Sequence, residues 1–194
     1  MKYFKYHAIG NDYIVINPQD TSQSLSTEQI QKICHRNFGV GSDGILYGPF
    51  ESDKGKFALR ILNPDGSEAE KSGNGLRIFS RYLWDKELVK DEQFTIETLG
   101  GLVKSSVLQN GKIVRVEMGK VSFFSNEIPV TGENREVISE NITVDNKVFT
   151  FCAATIGNPH CVIPLPEITP ELAKQYGHLI ETHKLFPNRI NVQF

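Results

Sequence analysis

The densest run of polar and flexible residues is Asn63-Pro64-Asp65-Gly66-Ser67-Glu68-Ala69-Glu70-Lys71-Ser72-Gly73-Asn74-Gly75. Its last four residues stand where an apolar helical pattern begins, over Asn74 to Asp85. A helix start gathers unsatisfied backbone N–H groups and the positive end of the helix dipole. Glycine there lets a ligand approach the backbone closely. Such a place suits a carboxylate or phosphate. It also lowers the pKa of a thiol or stabilises an oxyanion. Taken alone, the same run is what any Gly-rich loop feeding a helix looks like. A second pair of polar corners is an internal echo. Ala8-Ile9-Gly10-Asn11-Asp12 resembles Thr155-Ile156-Gly157-Asn158-Pro159, each placing Gly-Asn after a β-rich segment. Four-residue echoes arise by chance in many chains, so this one carries weight only in company.

The cysteines are Cys34, Cys152 and Cys161. No CxxC or HExxH spacing occurs, which leaves a zinc site without support and no metal in the expectation. Cys161 follows Asn158-Pro159-His160 and invites reading as a nucleophile. Cys161-Val162-Ile163 nevertheless has the look of a buried strand start, where small cysteines are common.

Elements must place these groups. Tyr3 to Asn17 contains two β-rich runs around Gly10-Asn11-Asp12. Ser26 to His35 reads as a helix, with Ser26 as N-cap, Gln29 completing a capping box, and Leu25 with Ile30 as a hydrophobic staple. Phe57 to Asn63 is a strand. In Asn74 to Asp85 the apolar residues Leu76, Ile78, Phe79, Tyr82, Leu83 and Trp84 cover more than one face, so this helix should be buried with sheet around it. Phe94 to Thr98, Leu102 to Leu108 and Ile113 to Met118 are strands, the last two joined by an Asn110-Gly111 turn. A polar, turn-rich stretch at 119–135 marks a boundary, dividing the chain into 1–120 and 121–194. Strands resume over Glu136 to Val144 and Lys147 to Ile156, joined by Asp145-Asn146. Thr169 caps a short helix with Pro170 at its first position and Gly177 after its end. Arg189 to Phe194 reads as a strand.

Bulk properties exclude several classes. The 194 residues include 39% hydrophobic and 23% charged residues, an ordinary globular composition. Lys plus Arg number 21 against 23 Asp plus Glu, a net charge of −2, so no basic excess points to nucleic acid or an anionic membrane. The N-terminal residues lack the apolar run of a signal peptide. No window reaches the ~18 apolar residues of a membrane span. Few cysteines without a secretion signal suggest the reducing cytoplasm.

Five segments together carry a resemblance: His7 to Tyr13 (HAIGNDY), Phe38 to Gly44 (FGVGSDG), Asn63 to Gly75 (NPDGSEAEKSGNG), Ile156 to Val162 (IGNPHCV) and Phe186 to Asn191 (FPNRIN). In this order, across nearly the whole chain, they resemble the diaminopimelate epimerases, PLP-independent amino-acid racemases and epimerases. The resemblance implies an α+β fold of two pseudo-symmetric halves, each a strand-rich sheet wrapped around a central helix, with the substrate in the cleft between them. Asn11 and Asn158 would then be counterparts. It implies a reaction without a cofactor, in which one thiol removes the Cα proton of a free amino acid and another returns a proton to the opposite face. It gives substrate-binding roles to Asn11, Asn63, Asn158 and Asn191, a carboxylate-binding helix start to Gly73 and Asn74, and a place near the reacting carbon to His160. An isolated Asn is more often a turn or cap residue; four inside matched motifs are not so easily set aside. Family members commonly form homodimers, which makes a homodimer the expected assembly.

Two departures stand out. The family has a catalytic cysteine where this chain has Ser72, and a serine hydroxyl is a far poorer base. Three explanations are open: an engineered replacement that traps substrate or silences the enzyme, a natural serine with the second-half thiol as the lone strong base, or a scaffold turned to another task such as one-sided abstraction and elimination. The second departure is length. Gly10 and Gly73 lie 63 residues apart, and the same separation from Gly157 reaches about residue 220, beyond Phe194. By resemblance, that further region holds the second catalytic cysteine, a Glu-Arg pair and the second buried helix, so the second half is expected to be incomplete. The leading expectation is interconversion of LL- and meso-2,6-diaminoheptanedioate. The alternatives are a related racemase or isomerase, or a catalytically impaired amino-acid binder.

Overall fold

The computed structural model describes Met1–Phe194, which form two compact units, Met1–Met118 and Gly119–Phe194. In the first, strand β1 (Phe4–Ala8) turns over Ile9-Gly10, both at positive φ, into β2 (Asn11–Ile16). Helix α1 (Thr27–Cys34) follows, then β3 (Ile45–Phe50), β4 (Phe57–Leu62), the two-residue β5 (Glu68–Ala69), helix α2 (Gly73–Asp85), β6 (Phe94–Thr98), β7 (Gly101–Leu108) and β8 (Ile113–Glu117). The sheet runs β1-β2-β3-β4-β6-β7-β8, with β5 added beside β4. Pairings are antiparallel except β2 with β3 and β4 with β6.

The side-chain alternation of β2 explains its burial on both faces. Tyr13 and Val15 join the cluster around α2, while Ile14 and Ile16 join the cluster beneath α1. On β3, Leu46 faces the first cluster and Ile45 and Tyr47 the second. Helix α2 packs against β1 and β2 and also against β7 and β8. The sheet therefore curls around it, and Leu76, Ile78, Phe79, Tyr82 and Leu83 are buried at its centre. The expected burial of this helix is realised. So is the capping box of α1: the Ser26 hydroxyl accepts the Gln29 N–H and the Gln29 side chain accepts the Ser26 N–H. The turn between β7 and β8 is wider than Asn110-Gly111. Leu108 pairs with Ile113, and Gln109, Asn110 and Gly111 all take positive φ.

The second unit holds β9 (Glu140–Val144), β10 (Lys147–Thr155), β11 (Pro159–Val162), helix α3 (Pro170–Glu181) and β12 (Asn191–Gln193), in a sheet of order β12-β11-β10-β9. Asp145 and Asn146, both at positive φ, make the two-residue turn between β9 and β10. Phe149, Phe151, Ala153, Cys161, Ile163 and Ile180 form the core of this unit.

Three sequence readings need correction. The strand expected from Glu136 begins at Glu140, because Ser139 takes a positive φ and only an isolated bridge joins Glu136 to Phe124. The strand expected from Arg189 begins at Asn191, because Arg189 is in the left-handed region. Gly177 does not end its helix. It lies inside α3, which continues to Glu181 and carries Ile180 into the core. No helix is long and apolar enough to cross a membrane.

Candidate active site

The start of α2 is capped by Ser72. Its hydroxyl oxygen accepts the Gly75 N–H at 3.0 Å, and its carbonyl accepts the Leu76 N–H at 2.8 Å. The cap therefore satisfies the third N–H of the helix and the helical pattern satisfies the fourth. The Gly73 and Asn74 N–H groups are the ones without an intrahelical acceptor. They sit at the positive end of a 13-residue helix. A Cβ placed on Gly73 would meet nothing nearer than Met118 Sδ at 4.0 Å. A side chain would fit there without a clash, so no close packing within the fold demands the glycine. The Tyr13 hydroxyl lies 3.2 Å from Ser72 Oγ. The serine is thus held by an N–H and a phenol, and no histidine or carboxylate accepts its proton among its hydrogen-bond partners.

The loop of the β1–β2 hairpin delivers Asn11 to the same place. Asn74 Nδ2 donates to Asn11 Oδ1 at 3.3 Å, across 63 residues of sequence. Asn11 Nδ2 donates to Asp43 Oδ2 at 2.9 Å, and the Asp12 N–H donates to the same oxygen at 3.1 Å. Arg36 bridges the two carboxylates, reaching Asp43 at 2.7 Å and Asp12 at 2.8 Å, and Lys5 lies 3.1 Å from Asp12. Hydrogen bonding from Arg36, reinforced by Lys5, holds the Asp12 carboxyl well below the usual carboxylate range against the opposing effect of burial. At the other end, Arg77 Nη2 donates to Asn74 Oδ1.

Ser72, Gly73, Asn74 and Asn11 are therefore brought together. Asn63 belongs to a different local structure, the β4–β5 turn. Its N–H donates to the Ser67 carbonyl at 2.8 Å and its Nδ2 to Ser67 Oγ at 2.9 Å. In the second unit, His160 pairs with Asn191 across the parallel β11–β12 register. Asn191 Nδ2 donates to the Pro159 carbonyl at 2.9 Å, and His160 Nδ1 lies 3.3 Å from Gln193 Oε1. Asn158 is half-buried in the turn just before β11. Of the thiols, Cys161 is fully buried, and desolvation pushes it up to about 12. Burial also raises Cys34. Neither environment favours a thiolate. Sequence reasoning passed over Asp43 and Arg77. Asp43 lies within the FGVGSDG segment, so an acidic residue beside a Gly-rich turn was the available signal.

The diaminopimelate epimerase family model matches residues 3–124. A "Diaminopimelate epimerase 2" of Nostoc sp. (strain PCC 7120 / SAG 25.82 / UTEX 2576) is 66% identical over all of this chain, which spans 68% of that protein. A "Diaminopimelate epimerase" of Carboxydothermus hydrogenoformans is 40% identical over all of this chain and 71% of its own length. Among solved structures, a hydroxyproline epimerase from Agrobacterium vitis superposes with a TM-score of 0.61 at 15% identity, over 93% of this chain and 54% of that one. A phenazine biosynthesis protein of Bacillus anthracis gives 0.51 at 18% identity, over 84% and 54%. At these identities the structural matches speak for the fold.

Proposed function

Because the chain belongs to the diaminopimelate epimerase family, we propose that it acts on 2,6-diaminoheptanedioate, interconverting the LL and meso forms in lysine and peptidoglycan precursor synthesis. The observation that carries this reading is the capped start of α2, whose first two N–H groups have no intrahelical acceptor. Two free N–H groups, Gly73 and Asn74, stand beside the paired amides of Asn11 and Asn74. A carboxylate bound there meets backbone donors and the helix dipole. When the Cα proton leaves, negative charge spreads onto that carboxylate, and the same donors stabilise it more strongly than they stabilise the ground state. The asparagine amides offer both donors and acceptors, as an ammonium beside a carboxylate requires. Asn63 is a further contact proposed within this unit, and in the second unit Asn158, Asn191 and His160 keep the substrate-binding roles that family membership proposes for them.

Position 72 is the proposed acid-base position on one face of the substrate. Its occupant favours a second reading, that the chain holds the amino acid with slow inversion. A hydroxyl is protonated at neutral pH, and this one already serves as cap and Tyr13 partner. Solvent-deuterium incorporation at Cα of LL-2,6-diaminoheptanedioate separates the two, alongside calorimetric binding. Ser72→Cys is expected to raise exchange by about 10²-fold, the scale of a positioned acid-base group. Equal exchange in the two proteins would remove position 72 from the chemistry. Absence of binding in both would overturn both readings.

A further inference from the structure

The polar contacts around Asn11 and Asn74 form one chain with a charge at each end: the Asp43 carboxylate, the Asn11 amide, the Asn74 amide, the Arg77 guanidinium. We propose that Asp43 and Arg77 are positioning residues that lock the two asparagine amides in a single orientation. A carboxylate can only accept and a guanidinium can only donate. Asn11 must therefore turn Nδ2 towards Asp43, which leaves Oδ1 for Asn74. Asn74 must then offer Nδ2 to Asn11, which leaves its own Oδ1 for Arg77. Flipping either amide sets N–H against N–H or oxygen against oxygen at two contacts. Each amide keeps one N–H and one lone pair free for a ligand.

The ends of this chain are themselves held. Asp43 Oδ2 also accepts the Asp12 N–H, and its Oδ1 is bound by Arg36. Arg77 Nε is buried without an acceptor. Burying an N–H in that way is unfavourable, so the value of this guanidinium lies in what its other nitrogens hold. The sequence span shows why only the fold can assemble the clamp. Asp43 is 32 residues from Asn11, and Asn74 is 63 residues from it.

The inference rests on the proposed reading that these amides touch substrate, and the test separates the two. The full chain is compared with Asp43→Asn, Arg77→Leu, Arg77→Lys and Asn11→Ala. Binding of LL-2,6-diaminoheptanedioate is followed by calorimetry, and Asn side-chain amides are followed by NMR in the ligand-free proteins. Locked amides give one signal pair each for Asn11 and Asn74. Asp43→Asn, whose new amide can donate or accept, is expected to double or broaden them. Asp43→Asn and Arg77→Leu are each expected to weaken binding about tenfold or more, the worth of a hydrogen bond to a charged group. Arg77→Lys, which still only donates, should restore most of the affinity. A merely structural role would move the melting temperature and leave the amide signals single. If Asn11→Ala weakens binding while Asp43→Asn and Arg77→Leu change neither affinity nor signals, the clamp is overturned. If Asn11→Ala binds normally, the substrate reading fails, and the amide signals alone decide the clamp.

Discussion

In the first unit, hairpin β1–β2 turns at Ile9-Gly10, and β2 then pairs in parallel with β3, with α1 in the connection. In the second, hairpin β10–β11 turns at Ile156-Gly157-Asn158, and β11 pairs in parallel with β12, with α3 in the connection. The short Gly-Asn echo thus marks a repeated three-strand plan with a helical crossover. The two corners are nonetheless held differently. Aligning Gly10 with Gly157 sets Asp12 against Pro159 and Ile14 against Cys161. Because Ile14 pairs with Ile45 and Cys161 with Val192, Gly44 is the aligned counterpart of Asn191. The first corner is fixed by ion pairs and an amide chain, the second by a side-chain amide reaching a backbone carbonyl. A shared backbone plan therefore does not oblige a shared means of holding the functional side chains.

The comparison breaks most visibly at the cores. Phe79 and Phe151 are each fully buried in separate clusters. Truncating either to Ala should cost about 3–5 kcal/mol in urea unfolding. Amide exchange should quicken in β2, β6 and β7 for Phe79→Ala and in β9 and β10 for Phe151→Ala. Protection lost everywhere in either variant would deny the two cores their independence. A finer probe exchanges the aligned corner residues. A Cβ on Gly44 would lie 2.7 Å from the Leu62 carbonyl oxygen and 2.8 Å from Tyr13 Cε1. Gly44→Asn should therefore cost about 1–3 kcal/mol. Asn191→Gly should cost about 1 kcal/mol, chiefly its hydrogen bond. A Gly44→Asn protein as stable as the parent would mean the two positions are interchangeable after all.

Acid sharpens the contrast further. The Asp12 carboxyl has its pKa lowered in the folded state, by Arg36 first and then Lys5. Its contribution is fully present above the ordinary carboxylate value of ~3.9 and is lost as pH falls below that. The aligned residue in the second unit is Pro159, which has no proton to take up. Asp12→Asn should therefore flatten the acid limb of stability in the first unit only, as read by pH-dependent exchange in β2 and β11. With Arg36 58% exposed, solvent screening keeps the effect on the order of 1 kcal/mol.

What the sequence made legible follows the range of the interactions involved. The cap of α1, the burial of α2 and the Asp145-Asn146 turn are local patterns and could be read directly. Strand β3 could not, because Gly48-Pro49 interrupts it and its register shifts between Tyr47 and Phe50. At the candidate site, the motifs marked Asn11, Ser72, Gly73 and Asn74. Asp43 lay inside one of those motifs and Arg77 just past another, but neither could be read as a support, because the contacts that join them to the two amides form only on folding.

Gly177 offers the smallest effect and the clearest sign. Read from sequence, it follows the end of its helix, where a left-handed glycine is usual and Ala is strained. In the fold it lies within α3, and a Cβ there would meet nothing within 4 Å. Ala in a helix interior restricts the unfolded chain and is favoured over Gly by roughly 0.5–1 kcal/mol. Gly177→Ala should thus raise the melting temperature by about 1–4 °C. A fall instead would place Gly177 in the left-handed cap. It would also shorten α3, the second unit's counterpart of α1, and withdraw Ile180 from the core it helps to close.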